Sequence, residues 1–446
     1  MVVGFLRAAL VLGVCLIAVP LLAQDRAILV NDVFLFDGKS AQRGAAPVNV
    51  LIVDRQIAAI SGDAIEPDPG LDLTVIDGGQ RTLMPGLIDA HVHLTLTLPT
   101  MLQALTADTS FIHILSAGVA EATLLRGFTT VRDVGGPSFG LRRAIEGGYV
   151  PGPRILSAGA MISQTSGHGD FRTRHDIPRE DGAPLSASER AGVAAIADGV
   201  DEVLRRSREQ LMLGANFLKL MAGGGVSSMY DPLDVTQYTP EELRAAVAAA
   251  RNWGTYVTVH AYTSDAVRMA VESGVRVIEH GQLIDEETAR LMAKQGVWWS
   301  LQPFLDNELS NPQAGESRIK QLQVAAGTDR AYRLAKKHGI KVAFGTDILF
   351  SGGTGPAQNG HLANLAQWFS PGEVLRMATG QNGELMALSG PRYPYPGPVG
   401  VIQPGAMADV LLVDGDPTAD LGLLRDPNSS LLLIVKDGQI VTNRLN

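Results

Sequence analysis

Apolar and polar residues alternate in short runs at both ends of the chain, and the grammar changes in between. Residues 27–30 and 33–36 are β-rich and stop at Asp37-Gly38, a turn pair; 48–53 and 57–60 repeat the pattern around Asp54-Arg55. The other end matches it, with strand-like runs at 409–413, 431–435 and 439–442 punctuated by Asp414-Gly415 and Asp437-Gly438. This predicts one small composite β-sandwich built from both termini, 24–83 and 395–446, around a separate domain at 84–394. Within the middle, strand-like runs at 86–94, 129–134, 154–158, 217–221, 256–260, 275–280, 297–301 and 341–347 alternate with helical patterns. One helix opens at Thr239-Pro240-Glu241-Glu242, where Thr239 suits the N-cap and Pro240 the first helical position. Eight strand–helix units predict an α/β fold, a closed (β/α)8 TIM barrel, with a doubly wound sheet as the alternative. The Gly-, Pro- and Asp-rich stretch 162–187 reads as a long active-site loop after the third strand.

Composition sharpens this picture. A chain of 446 residues, 46% hydrophobic and 19% charged, suits a large barrel with a smaller accessory module. A net charge of -9 without a Lys/Arg-rich run argues against a nucleic-acid binder and fits an enzyme acting on small molecules. The N-terminus differs in kind. Arg7 precedes an apolar run at 8–23, and polar Gln24-Asp25-Arg26 follows, which reads as a cleaved secretory signal at 1–23. The run is shorter than the roughly 20 residues a spanning helix needs. The expectation is therefore export to a secreted or periplasmic location, with no stable membrane span once the signal is removed. The single cysteine, Cys15, leaves with that signal. Disulfides and thiolate chemistry are then excluded from the mature chain, and metal ligands are restricted to His, Asp, Glu or a modified Lys.

Candidate chemistry begins at His91-Val92-His93. Residues i and i+2 of a strand share a face, so two imidazoles can chelate one ion. Alone the pair is a weak signal. Lys219, His260, His280 and Asp347, however, each fall at or near the C-terminal end of a different predicted strand, and in a barrel those ends meet at one mouth. A buried Lys or Asp is costly unless paired or metal-bound. Four such residues together with His-x-His point to a metal site.

The segment Gly86-Leu87-Ile88-Asp89-Ala90-His91-Val92-His93 resembles the first-strand signature of the amidohydrolase superfamily. The resemblance continues through Phe217-Leu218-Lys219, Val259-His260-Ala261, Ile278-Glu279-His280-Gly281 and Gly345-Thr346-Asp347. It spans the mature chain and is nearest to the imidazolonepropionase-like and prolidase branch, which includes Xaa-Pro dipeptidases and ochratoxin A-hydrolysing enzymes. The resemblance implies two divalent metal ions, for which imidazole and carboxylate ligands suit Zn2+, with Mn2+ or Co2+ as the alternatives. His91, His93 and Asp347 would bind the buried metal, and His260 and His280 the exposed one. Lys219, N6-carboxylated, would bridge both. It further implies metal-bridged hydroxide attack on the amide of a small carboxylate-bearing substrate, an Xaa-Pro dipeptide, an N-acyl amino acid or an ochratoxin A-like amide. Asp347 would act as general base. Tyr262, two residues after His260, would donate to the developing oxyanion, and His168, in Ser166-Gly167-His168-Gly169-Asp170, would reach substrate from the long loop. A homo-oligomer, in some relatives an octamer, is also implied. Cyclic-amide or lactone hydrolysis is the alternative, and a non-catalytic exported binding protein is the least favoured. Lys219 argues against a single-metal deaminase.

Other features receive blander readings. Gly223-Gly224-Gly225 lacks a following Gly-Lys-Ser/Thr and reads as a flexible loop, not a phosphate cradle. Gly352-Gly353-Thr354-Gly355 reads as another active-site loop. Arg172, Arg174 and His175 read as solvated, and Trp298 and Trp299 as packing around the seventh strand. His113 and His338 read as structural, and His361, after the eighth-strand loop, falls within reach of substrate without being counted among the site residues.

Overall fold

The computed structural model describes residues 25–179, 182–228, 230–351 and 357–445. The expected leader at 1–23 and the glycine-rich run at 352–355 lie outside them. Among the described residues no helix is long and apolar enough to cross a membrane.

Five strands begin the chain: β1 (Arg26–Leu35), β2 (Pro47–Val53), β3 (Gln56–Ser61), β4 (Asp72–Asp77) and β5 (Thr82–Pro85). The middle holds β6 (Leu87–Val92), β7 (Phe128–Asp133), β8 (Arg154–Ser157), β9 (Met161–Ser163) and β10 (Ala194–Ile196). It continues with β11 (Leu218–Met221), β12 (Val257–Thr263), β13 (Val277–Leu283), β14 (Trp298–Leu301) and β15 (Val342–Phe344). The chain closes with β16 (Val410–Val413), β17 (Leu431–Lys436) and β18 (Gln439–Asn443).

Both termini do share one structure, a continuously hydrogen-bonded eight-stranded sheet. Its order is β18-β17-β16-β5-β1-β2-β3, with β4 beside β1. The physical reason lies in β5. It pairs parallel with β1 on one edge and antiparallel with β16 on the other, so the N- and C-terminal strands join without a break. Val30, Val33, Ile52, Leu83, Leu412 and Leu433 form the apolar cluster of this sheet. The turn pair read from the sequence at Asp437-Gly438 adopts φ 57 and 68, the left-handed geometry that matches a two-residue hairpin turn to strand twist.

The middle strands form two parallel sheets in place of the continuous closed ladder expected for the barrel. One is β6-β7-β8, the other β10-β9-β11-β12-β13-β14-β15. At the first seam, Gly159 (φ 75) separates β8 from β9. The third predicted strand therefore continues to Ser163, past the point where the sequence suggests a loop. Asn216 crosses this seam, donating its backbone N–H to the Ser157 carbonyl (2.8 Å) and accepting the Ser157 N–H at Oδ1 (2.9 Å). At the second seam, the Asp347 N–H donates to the His91 carbonyl (2.8 Å), and the Asn382 amide donates to the carbonyls of Ile88 and Phe344 (both 2.8 Å). Isolated bonds thus replace a ladder where β6 approaches β15.

The helix Pro240–Asn252 starts as its sequence dictates, with a capping box between Thr239 and Glu242 and proline in the first turn. Arg154, at the start of β8, reaches into the terminal sheet. Its Nε donates to Asp409 (2.9 Å) and its Nη2 to Asp437 (2.6 Å), which ties the two parts of the molecule together.

Candidate active site

Strand periodicity explains most of the site. On β6 the side chains of Asp89 and His91 share a face, and His93 follows in step just beyond the strand. On β12 the common face carries Thr258, His260 and Tyr262. β13 breaks the rule. Glu279 and His280 are neighbours and should point to opposite faces, yet His91 meets both, Glu279 through a hydrogen bond and His280 ring to ring at 5.0 Å. His280 has φ 75, a conformation that turns it back toward the same side. Asp347, just past β15, has φ 52. Left-handed non-glycine residues cost on the order of 1–3 kcal/mol each and persist where surroundings enforce them. For His280 one such restraint is the indole N–H of fully buried Trp299, which donates to the His280 carbonyl.

The structure brings His91, His93, Lys219, His260, His280, Asp347, Tyr262 and His168 to the wall of one cavity of about 480 Å3. One ligand atom from each of His91, His280 and Asp347 lies within 4.8 Å of the others. Asp347 Oδ1 is 3.1 Å from His91 Nε2 and 3.3 Å from His93 Nε2. The His260 ring is 4.6 Å from that of His280 and 5.0 Å from Tyr262.

Hydrogen bonds assign the imidazole tautomers. Nδ1 of His91 donates to Glu279 Oε2 (2.8 Å), that of His93 to the Gly135 carbonyl (2.8 Å), and that of His280 to Gln302 Oε1 (2.8 Å). Each leaves Nε2 as the lone-pair nitrogen. His260 is reversed: Nε2 donates to the Gly224 carbonyl (3.0 Å), leaving Nδ1. One nitrogen engaged with oxygen and the other bare is how metal-ligating histidines are oriented. His91 Nε2 is buried without a hydrogen-bond partner although it lies against Asp347. The donor set therefore fits divalent cations.

Electrostatics agree with that fit at His260 and His280 and run the other way at His91, where nearby carboxylates favour a bound proton in the place of a cation. Burial pushes His260 and His280 well below the ordinary imidazole range, which keeps their lone pairs available. Burial also opposes charge on Asp347, but the imidazoles of His91, His93 and His280 outweigh it and hold the carboxyl well below its usual value. His91 is desolvated too, and the carboxylates of Asp347 and Glu279 lift it nonetheless. Burial brings the Lys219 amine down to about 8, so far more of it is neutral than in an exposed lysine.

His168 stacks on His260 at 4.0 Å, and its Nδ1 is 2.7 Å from Ser228 Oγ and 3.8 Å from Asp231. Lys320 braces the carrying loop from the helix Gly315–His338, donating to the carbonyls of Gly225 (3.2 Å) and Asp231 (2.7 Å). The three glycines are packed, which corrects the flexible-loop reading. A Cβ on Gly224 would lie 1.8 Å from the Pro232 carbonyl oxygen, and one on Gly225 would lie 1.9 Å from His168 Nδ1. Arg172 is corrected as well. It is 5% exposed and paired with Asp170 at 2.7 Å, whereas Arg174 and His175 are exposed as expected. Trp298 and Trp299 are buried on β14, and His361 lines the cavity.

Residue-by-residue reading missed the floor beneath the histidines. Glu279 accepts from Arg132 Nη1 (2.7 Å) and from Thr258, and Arg132 Nε donates to the Tyr256 hydroxyl (2.9 Å). Asp89 accepts at Oδ1 from the backbone N–H groups of His91 and Thr346. One signal was present: Arg132 is a charge inside a strand that is otherwise apolar or threonine-rich on its inner side.

Residues 82–441 match the model of the amidohydrolase family. Ochratoxinase from Aspergillus niger is 31% identical over 413 residues, covering 88% of this chain and 82% of its own. Its crystal structure superposes with a TM-score of 0.81 at 27% identity, covering 94% and 96% of the two chains. A crystal structure of an amidohydrolase gives a TM-score of 0.86 at 36% identity, over 94% of this chain and all of that one (100%). A prolidase complexed with N-methylphosphonate-L-proline gives 0.84 at 32%, with the same coverage of 94% and 100%.

Proposed function

The chain belongs to the amidohydrolase family, in its prolidase and ochratoxinase branch, and from that premise we propose that it is a two-metal hydrolase cleaving the amide or peptide bond of a small substrate that bears a free carboxylate. The substrates in view are an Xaa-Pro dipeptide, an N-acyl amino acid or an ochratoxin A-like amide. The observation that carries the reading is the convergence of imidazole nitrogens on an ionised, half-buried Asp347 beside a desolvated lysine.

His91, His93 and Asp347 would hold one cation, and His260 and His280 the other. When bound, the two ions, Zn2+ on this donor set, supply Lewis acidity toward the carbonyl and toward water. Lys219, once carboxylated, would add an anionic oxygen ligand to this set. Its neutral amine attacks carbon dioxide, a nitrogen–carbon bond forms, and loss of a proton leaves an anionic carbamate. Asp347 stays ionised and therefore accepts the proton of the attacking water and passes it to the leaving nitrogen. The Tyr262 phenol donates to the oxygen on which charge develops. His168, stacked on His260, completes the polar side of the cavity and hydrogen-bonds substrate.

The interrupted parallel sheets are read as the wall of one (β/α)8 barrel, 84–394, beside the composite module of 24–83 and 395–446. The parallel strands in barrel order and the two bridged seams support this. The same reading has the chain exported after removal of 1–23 and assembled as a homo-oligomer.

The test is hydrolysis of a panel of N-acyl amino acids, Xaa-Pro dipeptides and ochratoxin A, each with and without chelator. Cleavage of free-acid amides that stops on chelation and returns with zinc supports the proposal. Activity confined to cyclic ureas or lactones overturns the substrate class.

A further inference from the structure

The cavity that would receive the substrate is poor in permanent positive charge. Among its described lining residues Lys219 is the sole lysine or arginine, and it belongs to the ligand cluster. Glu308, also on the wall, carries the wrong sign for an anion. A carboxylate-bearing substrate must therefore be met by neutral donors.

Most of those donors are already engaged. Asn311 directs its amide at the carbonyls of Leu349 and Phe350, and Gln313 and Gln321 each direct an amide hydrogen at the Asn311 carbonyl. Thr346 Oγ1 donates to Asp89. His168 is held at Nδ1 by Ser228, and its other nitrogen has the substrate contact already assigned to it.

His361 is different. It sits on the helix Gln358–Asn364, which follows the loop after Asp347, and it lines the cavity. No group among the described residues hydrogen-bonds its imidazole, and Nδ1 is buried. Burial lowers the ring to about 4, so it is neutral at ordinary pH and carries one N–H. Orphaned buried N–H groups are rarer than under-satisfied acceptors. The hydrogen therefore resides on Nε2, the nitrogen that is not enclosed.

We infer that His361 is a specificity-determining residue that donates its Nε2–H to the free carboxylate of the substrate. The inference rests on the amide-hydrolase reading above and adds to it the residue that selects acids over their neutral analogues.

The experiment compares kcat and KM for the best-cleaved free acid of the panel and for its own C-terminal carboxamide, in wild type, His361→Ala and His361→Gln. The acid-to-carboxamide preference in kcat/KM is expected to fall roughly 10- to 100-fold in His361→Ala, the range of one hydrogen bond to a charged group, mainly through KM. His361→Gln, which keeps an N–H near the Nε2 position, is expected to recover part of it. Zinc content equal to wild type verifies that the ligand cluster is intact. A preference unchanged in His361→Ala overturns the inference, as does equal loss on acid and carboxamide. If His361→Ala does not fold, an undiminished preference in His361→Phe, which keeps a planar ring without an N–H, overturns it and a lost preference supports it. Wild type that cleaves no free-acid amide overturns the underlying reading instead, so the two failures are distinguishable.

Discussion

His91 and His168 present imidazoles to the same cavity from opposite kinds of support. His91 is on β6, 1% exposed, and bonded to Glu279, which Arg132 and Thr258 hold in turn; every member of that chain is on a strand. His168 is on a loop, bonded to Ser228 of a second loop, which Lys320 braces from a helix. The strand-built floor is fixed by the main sheets. The loop-built wall is fixed by side chains and by the room that glycine leaves. Such a division lets one reaction centre persist while the substrate-facing wall varies, because loops tolerate change that packed strands do not. Disturbing the floor should therefore cost stability and metal together, and disturbing the wall should cost rate or selectivity alone.

Three changes test that contrast, in decreasing order of effect. Glu279→Gln leaves the fully buried Arg132 guanidinium without its counter-ion and weakens the orientation of His91. Chemical denaturation is expected to show a loss of about 3–5 kcal/mol, and zinc affinity to fall roughly 10- to 100-fold. A stability change below about 1 kcal/mol would break the comparison. Gly225→Ala pushes a Cβ into His168 without touching a candidate ligand. It is expected to lower kcat by roughly tenfold or more, on the scale of losing one positioned donor, with zinc stoichiometry unchanged. Lost zinc would show that wall and floor are one unit. The smallest effect concerns pH. Folding lowers His361 from 6.5 to about 4, so the unfolded state binds the extra proton across that interval. This contribution to stability is complete above 6.5 and is lost as pH falls toward 4. His361→Ala should therefore show a shallower acid-side decline between those values than wild type, measured by denaturation across the pH series. Parallel curves would mean that His361 is not held neutral.

The strands were legible because parallel barrel-type strands are short, apolar and spaced by helices, and a titratable residue within them stands out. Lys219 within β11 and His260 within β12 are such cases. β9 was hidden because Gly159 interrupts the third strand, and β5 because four residues carry too little periodicity. The joining of the two termini through β5 was hidden for a nonlocal reason: alternation reports one buried face per strand and says nothing of which strand β5 will join. Glu279 stayed without a role because alternation assigns it the face opposite to His280, and only the positive φ at His280 puts both beside His91. Arg172 was misread because its partner, Asp170, lies two residues away on a folded loop, where sequence polarity resembles solvation.

In the proposed function His91, His93, Lys219, His260, His280 and Asp347 together hold a pair of divalent cations. Elemental analysis of the full chain, saturated with zinc in the presence of bicarbonate and desalted, tests it most directly when wild type is run beside Lys219→Ala. Two zinc ions per wild-type chain and fewer than two in the variant are predicted. A wild-type chain that retains one ion or none, or a variant that still retains two, would contradict it.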